Sequence, residues 1–418
     1  MRPTRTRHIV LWLTVAAYMI TYMDRVVISS AVPSIKEDLG LDNQTMSWIL
    51  SSFRWGYALF QIPGGWLGDL IGPRRALSLI VIWWSAFTSI TALAFNAWSM
   101  IVFRFLFGVG EAGAFPIATR SLSRWMLPTE RGYAQGITHA GSRLGAALTP
   151  ALVTALIATY GWRMPFVLFG CVGVLWSAVW YWYYRDTPDE HTGVNAAELE
   201  LIHSSLGGSK KKAVSGAVPW GPILASPTLW MLVAMYFCYG WCLAVYLDWF
   251  PTYLKEHRGL TLKQMGFYAS LPLFAGVLGD FLGGWISDRI AHQTGNLKLA
   301  RSGVALAGFL IAAAGIIPAT LAASPELCVA FTCIAFFGLE VTVGVSWAVP
   351  LDIGGDFAGS VSSVMNTAGN IGGAISSLAV GYLVSAYGWN VPFLVAAALC
   401  LLGAILFARL DASRRIFS

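Results

Sequence analysis

Two short stretches set four charges deep inside apolar sequence. In V-F-R-F-L-F-G-V-G-E-A-G-A-F-P (102–116) the only charged residues are Arg104 and Glu111. Seven residues is about two helical turns, so both side chains lie on one helix face, stacked along the axis. In Tyr22-Met23-Asp24-Arg25 an acid adjoins a base within another apolar run. Each such charge costs roughly 2.5 to 3.5 kcal/mol on membrane-insertion scales. They are tolerated where they face a polar cavity and one another, so these four residues are expected at the centre of a solute pathway. Arg25 offers a planar two-pronged donor for a carboxylate, charged at any physiological pH. Its competing role is a helix-anchoring ion pair with Asp24 or Glu111. Asp24 and Glu111 are the expected proton carriers, because a carboxyl that moves between apolar surroundings and an arginine binds a proton in one and sheds it in the other. Arg104 is expected to hold one acid ionised until protonation releases it.

Other polar groups fall within the apolar spans. Arg54 is either a second positive pole, favouring a dianionic or aromatic acid, or an arginine that snorkels to water near one membrane face. His139 and Arg143 stand one turn apart and line the same cavity if they face it; the plainer role for a buried histidine is packing. Arg120 is expected at an interface. Asp248 lies near a span end and meets water in the simplest reading. Asp280 and Glu340 are deeper, where pairing with each other or with a first-half arginine would make a gate.

These residues need a membrane scaffold to position them. Of 418 residues 56% are hydrophobic and 11% charged, with a mean hydropathy of +0.63. Soluble domains carry about 25% charge. Twelve apolar spans of about 20 residues fit, at 9–32, 46–68, 76–95, 98–122, 132–158, 162–184, 227–254, 264–287, 301–322, 326–350, 357–385 and 389–409. The expected class is an all-α membrane protein with twelve transmembrane helices in two pseudo-symmetric six-helix bundles, 1–184 and 226–418. Between them 185–225 reads as an exposed cytoplasmic linker with a short helix around Ala196–His203. The basic N-terminus resembles a signal peptide only superficially and reads as a retained first helix. With that terminus inside, seventeen of the 27 lysines and arginines fall in cytoplasmic segments and five in outer loops. This positive-inside bias fixes the orientation, puts both termini in the cytoplasm, and assigns the net charge of +6 to topology rather than nucleic acid.

The halves repeat. G-G-W-L-G-D-L-I-G (64–72) matches G-G-W-I-S-D-R-I-A (283–291), and Y-G-W-R-M-P-F (160–166) matches Y-G-W-N-V-P-F (387–393). Parallel repeats facing each other across a midplane site suit alternating access by rocking, so a carrier is favoured over a channel. The six cysteines all lie in apolar segments. Cys238 and Cys242 share a helix face without the further ligands a metal needs. G-V-G-E-A-G follows no strand and is no nucleotide fingerprint. The Asn43-Gln44-Thr45 sequon is a chance occurrence at the membrane edge. With no nucleophile triad either, the sequence is not read as an enzyme, and no metal or cofactor is expected.

At this level the chain resembles the major facilitator superfamily. G-W-L-G-D-L-I-G-P-R-R (65–75) is similar to its loop motif between helices two and three, and Arg104…Gly108…Gly110 to its fourth-helix motif. More narrowly, Y-M-D-R (22–25), W-G-Y-A-L-F-Q-I-P-G-G-W (55–66), F-R-F-L-F-G-V-G-E-A-G-A-F-P (103–116) and W-F-P-T-Y-L (249–254) resemble the anion:cation symporter branch. That branch includes bacterial sugar-acid carriers, phthalate-type carriers, sialin and the vesicular glutamate transporters. The resemblance implies proton-driven uptake of a small organic anion, foremost a sugar acid, by a monomer in the bilayer of a bacterial inner membrane. Aromatic or dicarboxylic acid symport and proton-independent anion exchange are the alternatives. It implies coupling protons on acids at the positions of Asp24 and Glu111. It assigns Tyr22 and Tyr57 to the cavity, with Ser346, Trp347, Asn366 and Asn370 as a neutral complement from the second half. In Gly65, Asp69, Gly72, Arg74 and Arg75 it implies a conformational gate in which the acid packs against a helix end of the other half, with Asp288 and Arg289 a partial copy. Arg54 departs from the family pattern, which has an apolar or small residue there.

Overall fold

The computed structural model describes residues 3–127, 130–207, 219–354, 357–413 and 416. In chain order the spans are α1 (Thr6–Leu39), α2 and α3 (the two arms of Asn43–Thr91), α4 (Ala97–Trp125), α5 (Arg131–Tyr160), α6 (Arg163–Tyr183), α7 (Pro227–Glu256), α8 (Leu262–Thr294), α9 (Leu299–Leu321), α10 (Pro325–Gly354), α11 (Ala358–Tyr387) and α12 (Asn390–Arg409). Ten helices among the described residues are long and apolar enough to cross a membrane. The arms of Asn43–Thr91 supply the other two expected spans. They part at Gly72, whose φ of 80° and ψ of 154° leave the helix, and Pro73 restarts it. The Asp186 carboxylate sits 2.7 Å from where a Cβ on Gly72 would stand, so both space and backbone angle require glycine there.

Local signals set the other ends. Asp42 accepts from the Thr45 N–H at 2.8 Å to start α2, and capping boxes at Asn96–Ser99 and Thr261–Gln264 start α4 and α8. Successive spans run in opposite directions, so α1 begins and α12 ends on one face, here the terminal face; the other is the far face. α4 is interrupted at Ala112–Gly113, directly after Glu111. Two stretches of π-helix, Val245–Trp249 in α7 and Leu299–Gly303 in α9, also interrupt regular winding.

Small residues let the spans approach closely. A Cβ on Gly108 of α4 would stand 2.2 Å from the Phe53 carbonyl oxygen of α2. Gly108→Val is therefore expected to force α2 and α4 apart and lower the melting temperature in detergent by several degrees, on the scale of about 3 kcal/mol for overpacking.

The linker departs from its expected exposure. Its helix, Ala196–Gly207, docks on the start of α1 through Glu198, whose side chain is fully buried. Glu198 accepts from the Thr4 hydroxyl at 2.5 Å, from the Thr6 and Arg7 N–H groups at 3.2 and 3.3 Å, and from Arg7 Nη1 at 3.3 Å. The first N–H groups of α1 have no helical acceptor, so a carboxylate supplied from elsewhere satisfies them. Glu198→Gln is expected to cost about 2 kcal/mol by removing the buried anion from these donors, with Arg7 still paired to Glu130 at 3.2 Å, read as early thermal loss of an N-terminal label. Lys210, Lys211 and Lys212 lie outside the described residues.

Candidate functional site

Arg25 and Glu111 meet at the centre of the first half. Arg25 Nε donates to Glu111 Oε1 at 2.6 Å; the glutamate side chain is fully buried and the arginine 17% exposed. The Arg25 guanidinium lies 4.9 and 4.7 Å from the ring centroids of Tyr22 and Tyr57, and 5.5 Å from those of Phe53 and Phe115. Aromatic faces stabilise the cation without competing for its N–H groups. Arg25 Nη2 and Glu111 Oε2 are buried without a hydrogen-bond partner, which leaves donor and acceptor capacity for another group.

Asp24 does not join this pair. It is fully buried, accepts from Trp84 Nε1 at 3.1 Å through Oδ2, and has no partner on Oδ1. Arg104 shares the face of Glu111 as its spacing predicts, but among the described residues it forms no ion pair. Its Nε and Nη1 are buried and unpartnered, with the guanidinium 4.4 Å from the Phe107 centroid and 5.3 Å from that of Phe53. In this structure Arg104 therefore holds neither acid by direct contact.

Two further arginines cross between the halves. Arg143 of α5 lies 2.8 Å from Glu340 of α10 and 4.0 Å from Asp280 of α8. The Tyr239 hydroxyl of α7 donates to the same glutamate at 3.0 Å. Of the two pairings open to Asp280 and Glu340, the one with a first-half arginine is formed. Arg54 of α2 neither snorkels to water nor stands free: it pairs with Asp248 of α7 at 3.0 Å and donates to the Ser377 hydroxyl at 3.1 Å. Ser377 in turn hydrogen-bonds Asp248. The water-facing role expected for Asp248 is corrected accordingly. It sits in the π-helical turn Val245–Trp249, and such turns re-aim side chains at functional positions.

The remaining expected residues divide. His139 is open to solvent yet stacks on Phe115 and meets the buried Tyr18 edge-on, so it lines an internal space. Trp347 is 38% exposed, and its indole N–H donates to the Tyr236 hydroxyl at 2.9 Å. Asn366 and Asn370 are half-buried and bonded to each other along α11. Ser346 is fully buried; its hydroxyl donates to the Thr342 carbonyl of its own helix at 2.6 Å, which removes it from the cavity wall. Tyr18, Tyr236 and Tyr239 belong to the site but were not anticipated. Tyr18 lies one turn before Tyr22, and that spacing is the signal that marks it.

The loop motif is anchored within its own half. The Arg74 N–H donates to Asp186 at 3.0 Å and its Nε to the Tyr181 carbonyl at 2.9 Å, while Arg75 is exposed. Gly65 faces the Pro116 ring at ordinary contact distance. The side chain of Asp69 lies outside the described residues. Asp288 pairs with Arg301 at 2.7 Å, which also holds Asp352, and Arg289 lies over the Trp285 ring.

Among the described residues the hydrogen bonds and ion pairs between the halves named here all lie on one side. From the far rim inward they are Lys36–Glu256, Trp48–Tyr382, Ser51 to the Ala374 carbonyl, Arg54–Asp248 and Arg143–Glu340. Among the described residues no hydrogen bond or ion pair joins the halves on the terminal side of Arg143. There Gly136, His139, Ser363 and Thr367 are exposed. The halves therefore close at the far face, and the space between them opens on the terminal face.

The profile of the Major Facilitator Superfamily matches residues 14–377. A probable sulfoacetate transporter of Cupriavidus necator is 42% identical over 96% of this chain and 93% of its own. A probable galactarate/D-glucarate transporter of Escherichia coli is 31% identical over 90% and 87%, and a D-galactonate transporter of Escherichia coli 30% over 97% and 95%. Among solved structures, a bacterial homolog of the human lysosomal transporter Spinster, inward-facing and unoccupied, superposes with a TM-score of 0.82 at 20% identity, covering 98% of this chain and 97% of that one. With its twelve-span architecture, the chain belongs to the Major Facilitator Superfamily and is a multi-pass membrane transport protein rather than an enzyme.

Proposed function

We propose that this protein is a proton-coupled symporter that takes up a small organic anion by alternating access. The observation that carries this reading is the Arg25–Glu111 pair, 2.6 Å apart with its acid fully buried. An anion that binds Arg25 competes with Glu111. The displaced glutamate is too buried to stay charged and takes up a proton. Binding of anion and proton is thereby linked. Asp24, buried here without a cationic partner, is the second coupling acid, and Arg104 is the cation that pairs with it in the alternate arrangement and that its proton then releases.

The bundles 1–184 and 226–418 rock about this centre, joined by the segment 185–225. The termini lie in the cytoplasm of a bacterial inner membrane, which makes the present arrangement inward-open; the unit is a monomer. The positive-inside bias supports that orientation, with the loop motif and the Asp288–Arg289 copy acting as the conformational gate. The names of the relatives support an organic acid as substrate, either a sugar acid or a short sulfonated or dicarboxylic acid. Tyr22, Tyr57, Arg54, His139, Arg143, Trp347, Asn366 and Asn370 line its path in this reading.

Substrate-driven proton entry into proteoliposomes tests it, with sugar acids, aromatic acids and dicarboxylates run beside Asp24→Asn and Glu111→Gln. Symport predicts lumenal acidification with one class of acid, lost in both variants while counterflow persists. Transport that ignores pH in the wild type would point to anion exchange instead.

A further inference from the structure

Arg25 on α1 and Arg143 on α5 flank a single ring. The Tyr22 centroid lies 4.9 Å from the Arg25 guanidinium carbon and 5.8 Å from that of Arg143. The two distances together limit the separation of the guanidinium carbons to about 10.7 Å. α1 and α5 pack along each other within one bundle, so this spacing does not depend on how the halves stand. A guanidinium and a carboxylate joined by two bonds of about 2.8 Å have their central carbons about 4 Å apart. An anion whose acidic centres stand about 3 Å apart, the span of one intervening carbon, therefore reaches both arginines even at their widest separation.

Each arginine already has one carboxylate. Arg25 has Glu111 at 2.6 Å and Arg143 has Glu340 at 2.8 Å, and neither glutamate side chain is exposed. A two-headed anion displaces both. Around Glu340 stand Arg143 from α5, the Tyr239 hydroxyl from α7 and Asp280 from α8. Among the described residues no second cation is there to keep it ionised once Arg143 turns to the substrate. Around Glu111 stand Arg25, Tyr57 and Arg104, with Asp24 beyond.

We propose that the substrate is a dianion, for which one carbon between the acidic groups suffices, and that Glu340 is a further coupling carboxylate. Each acidic group of the substrate displaces one carboxylate, which then binds one proton. The exchange is balanced: Glu340 gains a proton, Arg143 trades one anion for another, and no substrate bond changes. This rests on the symport reading above.

The test measures proton and substrate fluxes together in proteoliposomes, using malonate, glutarate and glycolate as a short dianion, a longer dianion and a monoanion. Wild type is expected to carry malonate, and to move one more proton with it than with glycolate. Glu340→Gln lowers the malonate ratio by one proton and leaves the glycolate ratio alone. Arg143→Gln raises the malonate KM at least tenfold more than the glycolate KM. Equal proton ratios for malonate and glycolate in wild type, or an unchanged ratio in Glu340→Gln, would overturn the role of Glu340. Flux of glutarate or glycolate without malonate would overturn the claim that one intervening carbon suffices. The wild-type comparisons decide the matter if a variant does not fold. Anion flux without protons for every substrate would overturn the symport reading itself, as would no flux at all.

Discussion

Replacing Glu111 by glutamine lowers accumulation driven by a pH gradient of two units about a hundredfold while exchange of substrate across the membrane continues. Glutamine keeps the size of the side chain but can neither pair as an anion with Arg25 nor take up a proton. In the wild type Glu111 and the substrate compete for one guanidinium, so a proton that neutralises Glu111 favours the substrate. Affinity must then fall as pH rises, by up to tenfold per unit while a single group titrates. In Glu111→Gln the arginine is permanently free: the apparent Kd is lower at pH 8 and nearly flat from pH 6 to 8. A gradient of two pH units stores about 2.7 kcal/mol per coupled proton. Loss of one proton therefore reduces the accumulation ratio about a hundredfold. Substrate binding titrated at several pH values, together with uptake under an imposed gradient, separates these effects. A variant that still accumulates substrate to the wild-type ratio would remove Glu111 from the coupling path.

What could be read in the sequence follows from where the physical information sits. Hydropathy and charge bias are properties of each segment, so all twelve spans and the break at Gly72 with its following proline were visible along the chain. So was the shared face of Arg104 and Glu111, which depends only on helical spacing. Partner choice was not. Arg25 had two acids within reach in the sequence reading, and only the packing of α1 against α4 brings Glu111 to it while Trp84 holds Asp24 apart. Arg54 and Asp248 are 194 residues apart, and a π-helical turn aims the acid; periodicity at 3.6 residues carries no trace of either. Ser346 failed for a local reason. A serine within a helix satisfies its hydroxyl on the carbonyl one turn back, so a polar residue type alone did not place it on the cavity wall. Glu198 lay in a polar stretch that reads as solvated, and its burial depends on the unsatisfied N–H groups at the start of α1.

The Arg54–Asp248 pair latches the far face, and removing one partner is expected to open it. The pair joins α2 to α7, and Ser377 ties both to α11, so three helices from the two halves meet at one point. With side chains 12% and 16% exposed, the charges are largely withdrawn from water, and an orphaned arginine there is costly. Asp248→Asn leaves that orphan only while the far face is closed, because opening returns Arg54 to solvent. The closed arrangement therefore loses about 2 kcal/mol relative to the open one, a shift of about thirtyfold in their ratio. Lys36–Glu256, nearer the rim, gives less when broken, since more exposed pairs contribute less. Ser51 donates to the Ala374 carbonyl at the same interface and is buried there. A Ser51→Cys reporter should react with a membrane-impermeant maleimide only when the far face opens, and Asp248→Asn should raise its labelling rate about thirtyfold. Adding Arg54→Gln removes the orphan charge along with the pair, so the double variant should fall back between parent and single variant. A purely structural role predicts the opposite order, with the double variant the most disturbed and its melting temperature the lowest. Equal labelling in all three would mean that apolar packing between α2 and α11 holds the face shut without the ion pair.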